Sequence, residues 1–146
     1  MSNKLFQLDS KRVKPKEAFI VASKEVLYNL VHSTSGIEGV LLATTDGFEV
    51  SSIFQKEYDG SKLSAVGSSI LALVQALTAE AHLTGCRSVI LDAQDGKIMI
   101  SAVPNDNQPM IVMVMTKQKV LLGQIMHGMS KAIHGLVHLD REHHSE

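Results

Sequence analysis

The hydrophobic and polar positions of the chain follow two periods, which predict three helices and five strands. Apolar side chains recur every three or four residues in three long stretches, as they do along one face of a helix. These stretches are 16–33, 61–85 and 120–140. Short apolar runs bounded by turn residues are typical of strands. Two such runs lie within 39–54, joined at Asp46-Gly47, and three more lie at 87–93, 97–103 and 109–115.

Two of the predicted strands are apolar on both faces. In the last strand Met113 points to one side of the sheet, and Val112 and Val114 point to the other. The first strand is equally apolar over Val40–Ala43. A strand buried on both faces needs a layer of structure on each side. The pattern therefore predicts an α+β fold of three layers, an antiparallel meander with helices on both faces.

The middle helix, 61–85, has more apolar surface than one face of a sheet requires. The face predicted to cover the sheet consists of Leu63, Val66, Ile70, Leu73, Val74, Leu77 and Ala81. A second stripe has the spacing of a coiled-coil seam and consists of Ser64, Ser68, Leu71, Gln75, Thr78 and His82. The residues between the two faces are Ala65, Ser69, Ala72, Ala76 and Ala79.

The second stripe lacks the charges of an ordinary solvent-exposed helix face. Only Glu80 is charged within the helix interior, and Lys62 stands at its start. Small side chains let two helix backbones approach closely. We therefore predict that the stripe packs against a second copy in an antiparallel two-fold dimer. The alternative is a monomer in which these small residues face water.

The positive charges crowd the N-terminal segment, although the formal net charge of the whole chain is only -1. They are Lys4, Lys11, Arg12, Lys14 and Lys16. We predict a flexible basic arm over 1–14, a folded domain over 15–140 and a polar tail over 141–146. The arm could touch phosphates or lipid headgroups. Phe6 is its only aromatic residue, however, so we predict a solvated tail and no nucleic-acid binding.

Cys86 is the only cysteine of the chain. An intramolecular disulfide or a multi-cysteine zinc site is therefore excluded, and a reducing compartment is favoured. The N-terminus lacks the apolar segment of a secretion signal. We also expect no apolar run to reach the roughly 20 residues that a membrane span needs. We expect a cytoplasmic protein without an integral membrane segment.

No motif predicts catalysis, a cofactor or a bound metal. The glycines of 36–40 lack the Lys and Ser/Thr of a phosphate-binding loop. The segment 92–96 resembles the start of a calcium loop but lacks its acidic twelfth position. His134 and His138 stand four residues apart on a stripe with His127, a spacing that can hold zinc. We interpret this stripe as a solvated polar face.

Four segments follow one another in the order "GIEGVLLATTDGFEV", "KLSAVGSSILALVQALTAEA", "SVILDAQDGKIMISAV" and "LLGQIMHGM". Together they resemble the Roadblock dynein light-chain domain family, particularly its bacterial members of the MglB type. The similarity spans about Glu17 to Leu139. It implies a profilin-like sandwich in which a five-stranded antiparallel sheet carries the long middle helix on one face and the two terminal helices on the other.

The resemblance also implies a non-catalytic homodimer that regulates or scaffolds a small Ras-like GTPase, in a GTPase-activating or anchoring role. The dimer contacts would then be Ser64, Ser68, Leu71, Ala72, Gln75, Thr78, Ala79, Val89 and Leu91. A groove across the paired helices would receive the GTPase, flanked by Ser61, Lys62 and His82. The alternative function is a profilin-like sensor that binds a small molecule between the sheet and the helices.

Overall fold

A computed structural model describes residues 14–144, which form three helices and five strands in the predicted order. The helices are α1 (Glu17–Ser33), α2 (Gly60–Glu80) and α3 (Leu122–His144). The strands are β1 (Ile37–Thr44), β2 (Glu49–Phe54), β3 (Ser88–Asp92), β4 (Gly96–Val103) and β5 (Met110–Lys117). The predicted basic arm, apart from Lys14, and the end of the predicted tail lie outside the described residues.

The five strands form one antiparallel sheet in the order β2-β1-β5-β4-β3. β1 and β5 lie at its centre, where Val40 pairs with Val114 and Leu42 with Val112. The sheet is therefore not one continuous meander. A hairpin of β1 and β2 joins a meander of β3, β4 and β5, because two strands distant in sequence pair in the middle. The prediction of a central first strand and a more peripheral second strand is confirmed.

α1 and α3 cover one face of the sheet and enclose its largest side chains. Phe19 and Leu27 of α1 and Met129 and Leu136 of α3 are buried in one cluster with Val112 of β5. Complete burial of an apolar side chain of this size contributes about 1.5–3 kcal/mol. The large apolar side chains between these two helices and the sheet are therefore fully buried within a single chain.

The end of α3 is tied to its surroundings through a buried carboxylate. Asp140 accepts hydrogen bonds from the backbone N–H and the Nδ2 of Asn107, both at 3.0 Å, and lies 3.0 Å from Nδ1 of His144. Nε2 of His144 accepts from the backbone N–H of Lys16 at 3.1 Å. α3 thus continues past Asp140, where the sequence pattern predicted its end, because its last turn is anchored on both sides.

α2 covers the opposite face of the sheet and does so with small residues. Ser64 and Ser68 are buried beneath the helix, and Leu71 packs in one cluster with Met113 of β5. The helix approaches the sheet closely at Gly67, where a Cβ atom would clash with Cε of Met113. The predicted three-layer sandwich, with one helix on one face and two on the other, is therefore confirmed.

The structure reverses much of the predicted orientation of α2. The residues of the predicted seam near its start face the chain's own sheet, whereas four residues predicted to face the sheet are exposed. These four are Val66, Leu73, Leu77 and Ala81. Serines fit beneath the helix because the Ser64 hydroxyl donates to the Gly60 carbonyl and that of Ser68 to the Thr44 carbonyl. The prediction was wrong because it gave the core the largest side chains, whereas the close approach at Gly67 needs small ones.

Candidate protein interaction surface

The side of α2 that points away from the sheet is an apolar surface. Its large side chains are Val66, Leu73 and Leu77, which are exposed to 58%, 72% and 67%. Small exposed residues lie beside them, namely Ala65, Ser69, Ala72 and Ala76. We call these seven residues the outer face of α2. Contiguous apolar surface of this kind marks an interaction site on a soluble protein.

Charge is confined to the two ends of α2, at Lys62 and Glu80. By length and composition alone this helix is apolar enough to cross a membrane. The expectation that no apolar run reaches this length was therefore wrong. In the folded chain, however, α2 covers the sheet through Leu71. Because the helix belongs to the core, its outer face is better suited to a protein partner than to a bilayer.

The structure divides the predicted dimer residues into two groups. Ser64, Ser68 and Leu71 are exposed to 0%, 7% and 6% because they pack against the sheet of their own chain. They cannot form the surface contacts predicted for them. Ala72 belongs to the outer face of α2, and Ala79, which is also exposed, lies beside it. The potential contact surface is therefore rotated around the helix relative to the predicted seam.

Two polar members of the predicted interface are already engaged within the chain. Nε2 of Gln75 donates to the Cys86 carbonyl at 3.0 Å, and its Oε1 accepts from the Cys86 N–H at 3.1 Å. The half-buried Thr78 donates its hydroxyl to the Val74 carbonyl at 2.7 Å. Gln75 thus fixes the connection between α2 and β3, although its side chain is exposed.

β3 extends the exposed surface along the edge of the sheet. It pairs with β4 alone, so its other edge presents backbone groups that could pair with another strand. Val89 packs into the cluster beneath α2, and Leu91, which is 38% exposed, lies on the same side of the strand. α2 and β3 contact each other. Both elements named in the dimer prediction therefore border one surface.

The residues predicted to contact a partner lie at opposite ends of α2. Ser61 and Lys62 are in its first turn, where the Asp59 side chain caps the helix by accepting from the Lys62 N–H at 3.1 Å. His82 follows the last turn. Because a helix rises about 1.5 Å per residue, the two ends are roughly 30 Å apart. One chain does not bring these residues together, whereas an antiparallel pair of helices would.

α2 ends at Glu80, before Gly85, which is the last residue of the predicted helical stretch. His82 instead adopts a left-handed backbone conformation with a φ of 61°. The N–H of Leu83 donates to the Thr78 carbonyl at 2.9 Å, and that of His82 to the Ala79 carbonyl at 3.0 Å. This is the Schellman arrangement, in which glycine is usual because other residues there are disfavoured by about 1–2 kcal/mol. A strained residue therefore lies at one end of the predicted partner site.

No protein-family model matches the sequence, and no curated protein is detectably similar to it in sequence. The fold, in contrast, matches solved structures. MglB from Myxococcus xanthus superposes with a TM-score of 0.80 at 15% identity, over 92% of this chain and 98% of MglB. A structure of MglB with a tetrameric arrangement gives 0.77 at 17% identity, over 89% and 98%. A Roadblock/LC7 domain from Streptomyces avermitilis gives 0.70 at 12% identity, over 77% and 92%.

The chain has the Roadblock fold. At these identities the likeness concerns the fold alone, and it confirms the predicted MglB-like architecture. It extends over most of the described chain, from α1 to α3. The outer face of α2 and the edge strand β3 are features of this chain's own sequence placed on that Roadblock fold.

A groove of about 280 Å³ beside α2 is relevant to the alternative function of a small-molecule sensor. Its walls are mostly apolar, and two of its polar side chains, Ser68 and Gln75, are already hydrogen-bonded within the chain. A small-molecule site usually offers several convergent polar groups. This groove of the Roadblock fold is better suited to an apolar side chain of a protein partner.

The ionisable groups with shifted pKa values form one cluster on β1 and the loop before α2. A hydrogen bond to Glu38 and its negative charge raise the pKa of Lys56. Desolvation, and then the charge of Glu38, raises the pKa of Tyr58. Within residues 14–144, no three His, Cys, Asp or Glu side chains come together as metal ligands would. The structure thus adds no chemistry to the pair of His134 and His138.

Sequence reasoning missed the outer face of α2 because it assigned Val66, Leu73 and Leu77 to the core. The signal that could have corrected it was Gly67, which lies on the same side of the helix as Ser64. A glycine within a helix is unfavourable by about 1 kcal/mol, so it usually has a packing reason. Here that reason is the close approach to β5.

Proposed function

We propose that this protein is a non-catalytic, dimeric interaction module that regulates or scaffolds a small Ras-like GTPase. The observation that carries the interaction role is the outer face of α2, where Leu73 and Leu77 are about two-thirds exposed on an uncharged stretch of helix. The class of partner rests on the resemblance of the sequence to bacterial Roadblock proteins. The MglB-like fold supports that resemblance.

Dimerisation would bury the apolar side chains that a single chain leaves in water. Full burial of a leucine side chain contributes about 1.5–3 kcal/mol, and an antiparallel two-fold pair would bury Leu73 and Leu77 of each subunit. The alanines beside them would allow the two helices to approach closely. Ala72, Gln75, Ala79 and Leu91 are the members of the original interface prediction that are exposed.

The same pairing would assemble the partner site from both subunits. Ser61 and Lys62 of one chain would lie near His82 of the partner subunit, because antiparallel helices place the start of one beside the end of the other. Each end of the pair would then carry basic and polar groups beside an apolar surface. Such a groove would dock the GTPase and alter or localise its GTP turnover, while the GTPase supplies the catalytic groups.

The lone thiol is consistent with a cytoplasmic location for this activity. Cys86 is half-buried and free, and its thiol donates to the Ser88 carbonyl at 3.2 Å. Free thiols persist in reducing compartments.

The decisive variant is Leu73→Asp, which places a carboxylate at the centre of the outer face of α2. Val21→Asp is the matched control, because Val21 is 60% exposed on α1, in the other helical layer. We expect size-exclusion chromatography with light scattering to give a dimer for the wild type and the control, and the 15.9 kDa monomer for Leu73→Asp. Circular dichroism should show the same helix content in all three. A wild-type monomer, or a dimer that survives Leu73→Asp, would contradict the proposed interface.

The GTPase role needs a separate measurement. We expect a small GTPase to copurify with the wild type and the Val21→Asp control, and its single-turnover GTP hydrolysis to change when either protein is added. Leu73→Asp should bind and affect it much less, because the composite groove is lost. A dimer that binds no small GTPase would leave the interface assignment intact and refute the partner.

A further inference from the structure

The groove of about 280 Å³ beside α2 lies at the end of the sheet where the chain turns from β4 to β5. The connection between these strands, 104–109, supplies Pro104 and Pro109 to its walls. α2 contributes Leu71 and Ala72, and Ala72 also belongs to the outer face of α2. We call this space the α2 groove. It is therefore continuous with the surface to which a partner is proposed to bind.

The lining of the α2 groove suits an apolar occupant. None of the described residues that line it is charged, and Met110 and Ile111 of β5 are among them. The hydroxyl of Ser68 and the side-chain amide of Gln75 already form hydrogen bonds within the chain. Burial of a large apolar side chain in such a lining is favourable, and burial of a charged one is not.

The described chain begins at the same end of the sheet. The Lys16 N–H donates to Nε2 of His144, whose Nδ1 lies 3.0 Å from Oδ1 of Asp140. Asp140 in turn accepts from the N–H of Asn107, which belongs to the connection 104–109. Three hydrogen-bonded contacts thus lead from the start of α1 to the connection that forms a wall of the α2 groove. The basic arm is therefore attached to the fold on the far side of that wall.

A buried amide in the same connection lacks hydrogen-bond partners. Asn105 is only 5% exposed, and neither its Oδ1 nor its Nδ2 has a partner among residues 14–144. Such an arrangement is unfavourable, because buried polar groups are normally paired. A peptide segment that binds against the connection carries both groups that the amide needs, a carbonyl oxygen and an N–H. Asn105 therefore indicates, independently of the groove, that a further stretch of chain completes this region.

The basic arm contains apolar side chains that can reach the α2 groove. Phe6 and Leu8 are separated by one residue, so an extended segment places both on one side and Gln7 on the other. Eight residues lead from Lys14 back to Phe6 and span up to roughly 26 Å when extended. The two helical layers are roughly 20 Å apart, because stacked layers are separated by about 10 Å. The arm is therefore long enough to pass around the end of the sheet.

We propose that the basic arm docks in the α2 groove of its own chain, with Phe6 and Leu8 in the groove and its main chain paired with the Asn105 amide. This assignment replaces the solvated tail that the composition of the arm predicts. The docked arm covers Ala72, so it restricts access to the adjacent part of the outer face of α2. The docking is independent of the proposed function, and only its effect on partner binding rests on that function.

Tryptophan fluorescence tests whether the arm is docked, because the chain contains no tryptophan of its own. Phe6→Trp places a reporter at the proposed contact, and Gln7→Trp is the matched control on the opposite side of the segment. We expect the acrylamide quenching constant of Phe6→Trp to be smaller by about threefold or more, since a docked side chain is shielded from water. Equal quenching of the two variants would overturn the proposal.

Backbone amide NMR signals of the full chain locate the docked arm. Phe6→Ser should shift the signals of Ala72, Met110 and Ile111, because the groove loses its occupant. Phe6→Leu, which keeps an apolar side chain, should leave these signals close to their wild-type positions, and so should Gln7→Ser. If the largest shifts caused by Phe6→Ser lie between α1 and α3 instead, the arm binds another surface and the groove assignment is wrong.

Asn105→Leu tests the pairing between the amide and the arm. In the Phe6→Trp chain it should raise the quenching constant by about twofold or more, because the docked arm loses two hydrogen bonds. The Tm should not fall, since the amide has no partner among residues 14–144. A lower Tm with unchanged quenching would show that Asn105 serves the fold alone, which would contradict the pairing.

Dilution distinguishes docking within one chain from docking by the arm of a second copy. In the Leu73→Asp background, the quenching constant of Phe6→Trp should stay the same along a dilution series followed by light scattering. A rise on dilution would mean that a second copy supplies the arm, and would contradict docking within the chain. The quenching and NMR comparisons can succeed although no dimer or GTPase partner is found, so failure of the proposed function is distinguishable from failure of the docking.

Discussion

The two helical layers of this Roadblock fold meet the sheet in opposite ways. α1 and α3 enclose large side chains such as Phe19 and Leu136, which are both fully buried. α2 places Ser64 and Gly67 against the sheet and leaves Leu73 in water. In the first layer, hydrophobic burial is completed within the chain. One side of the sheet therefore supplies stability, while the other leaves apolar surface exposed, as the proposed interface requires.

Paired leucine truncations give the largest expected effect on this comparison. Leu136→Ala should lower the free energy of unfolding by about 2–5 kcal/mol, because it leaves a cavity in a closed core. Leu73→Ala should change it by less than about 0.5 kcal/mol, because the side chain is already in water. Urea denaturation of both variants in a Leu77→Asp background, which removes the contribution of dimerisation, measures the difference. Similar losses at the two positions would abolish the contrast between the layers.

A pair of glycine substitutions tests whether α2 depends on close approach. Ala at either Gly67 or Gly123 raises helix propensity by up to about 1 kcal/mol. At Gly67 the new Cβ must displace the Met113 methyl group, whereas at Gly123 it meets open space. Thermal unfolding should therefore show Gly67→Ala to be about 1–3 kcal/mol less stable than Gly123→Ala. Equal stability would mean that α2 can move outward without loss.

The smallest expected effect concerns alkaline pH on the α2 side of the sheet, where Tyr58 packs at the margin of the cluster. Its pKa in the folded chain is raised above the usual value of 10.0 by desolvation and by the charge of Glu38. The folded state therefore holds this proton more tightly, so its stabilising effect is complete below pH 10 and is lost as the pH rises through the folded pKa. Tyr58→Phe should show a shallower loss of stability above pH 10 in denaturation curves. An identical slope would refute this assignment.

Much of the fold was predictable because the periods of the apolar positions are strong in each element. The alternation within 109–115 required layers on both faces of β5, and the structure has them. The pairing of β1 with β5 was not predicted, because hydrophobic pattern specifies which side chains are buried but not which strands are neighbours. The end of α2 was misplaced because His82 occupies a backbone conformation that sequence rules assign to glycine.

The candidate site was predicted only at the level of its helix. The uncharged character of α2 correctly indicated an unusual surface. The spacing of its apolar residues, however, does not determine which side of the helix faces the sheet. Leu71 and Leu73 look equivalent in sequence, yet one is 6% and the other 72% exposed. The choice depends on how closely the helix approaches β5, which is a tertiary property. The hydrogen bonds between the Gln75 side chain and the Cys86 backbone could not be predicted for the same reason, since they depend on the path of the chain from α2 to β3.

The exposed leucines of α2 also have a consequence for the abundance of the protein in a cell. If assembly covers them, association adds to the stability of each subunit by mass action, so the folded population rises with the concentration of its partner. A chain made in excess would present Leu73 and Leu77 to chaperones and proteases, which recognise apolar surface. We therefore expect unassembled copies to be short-lived, which would keep the amount of this protein matched to that of the molecules it binds.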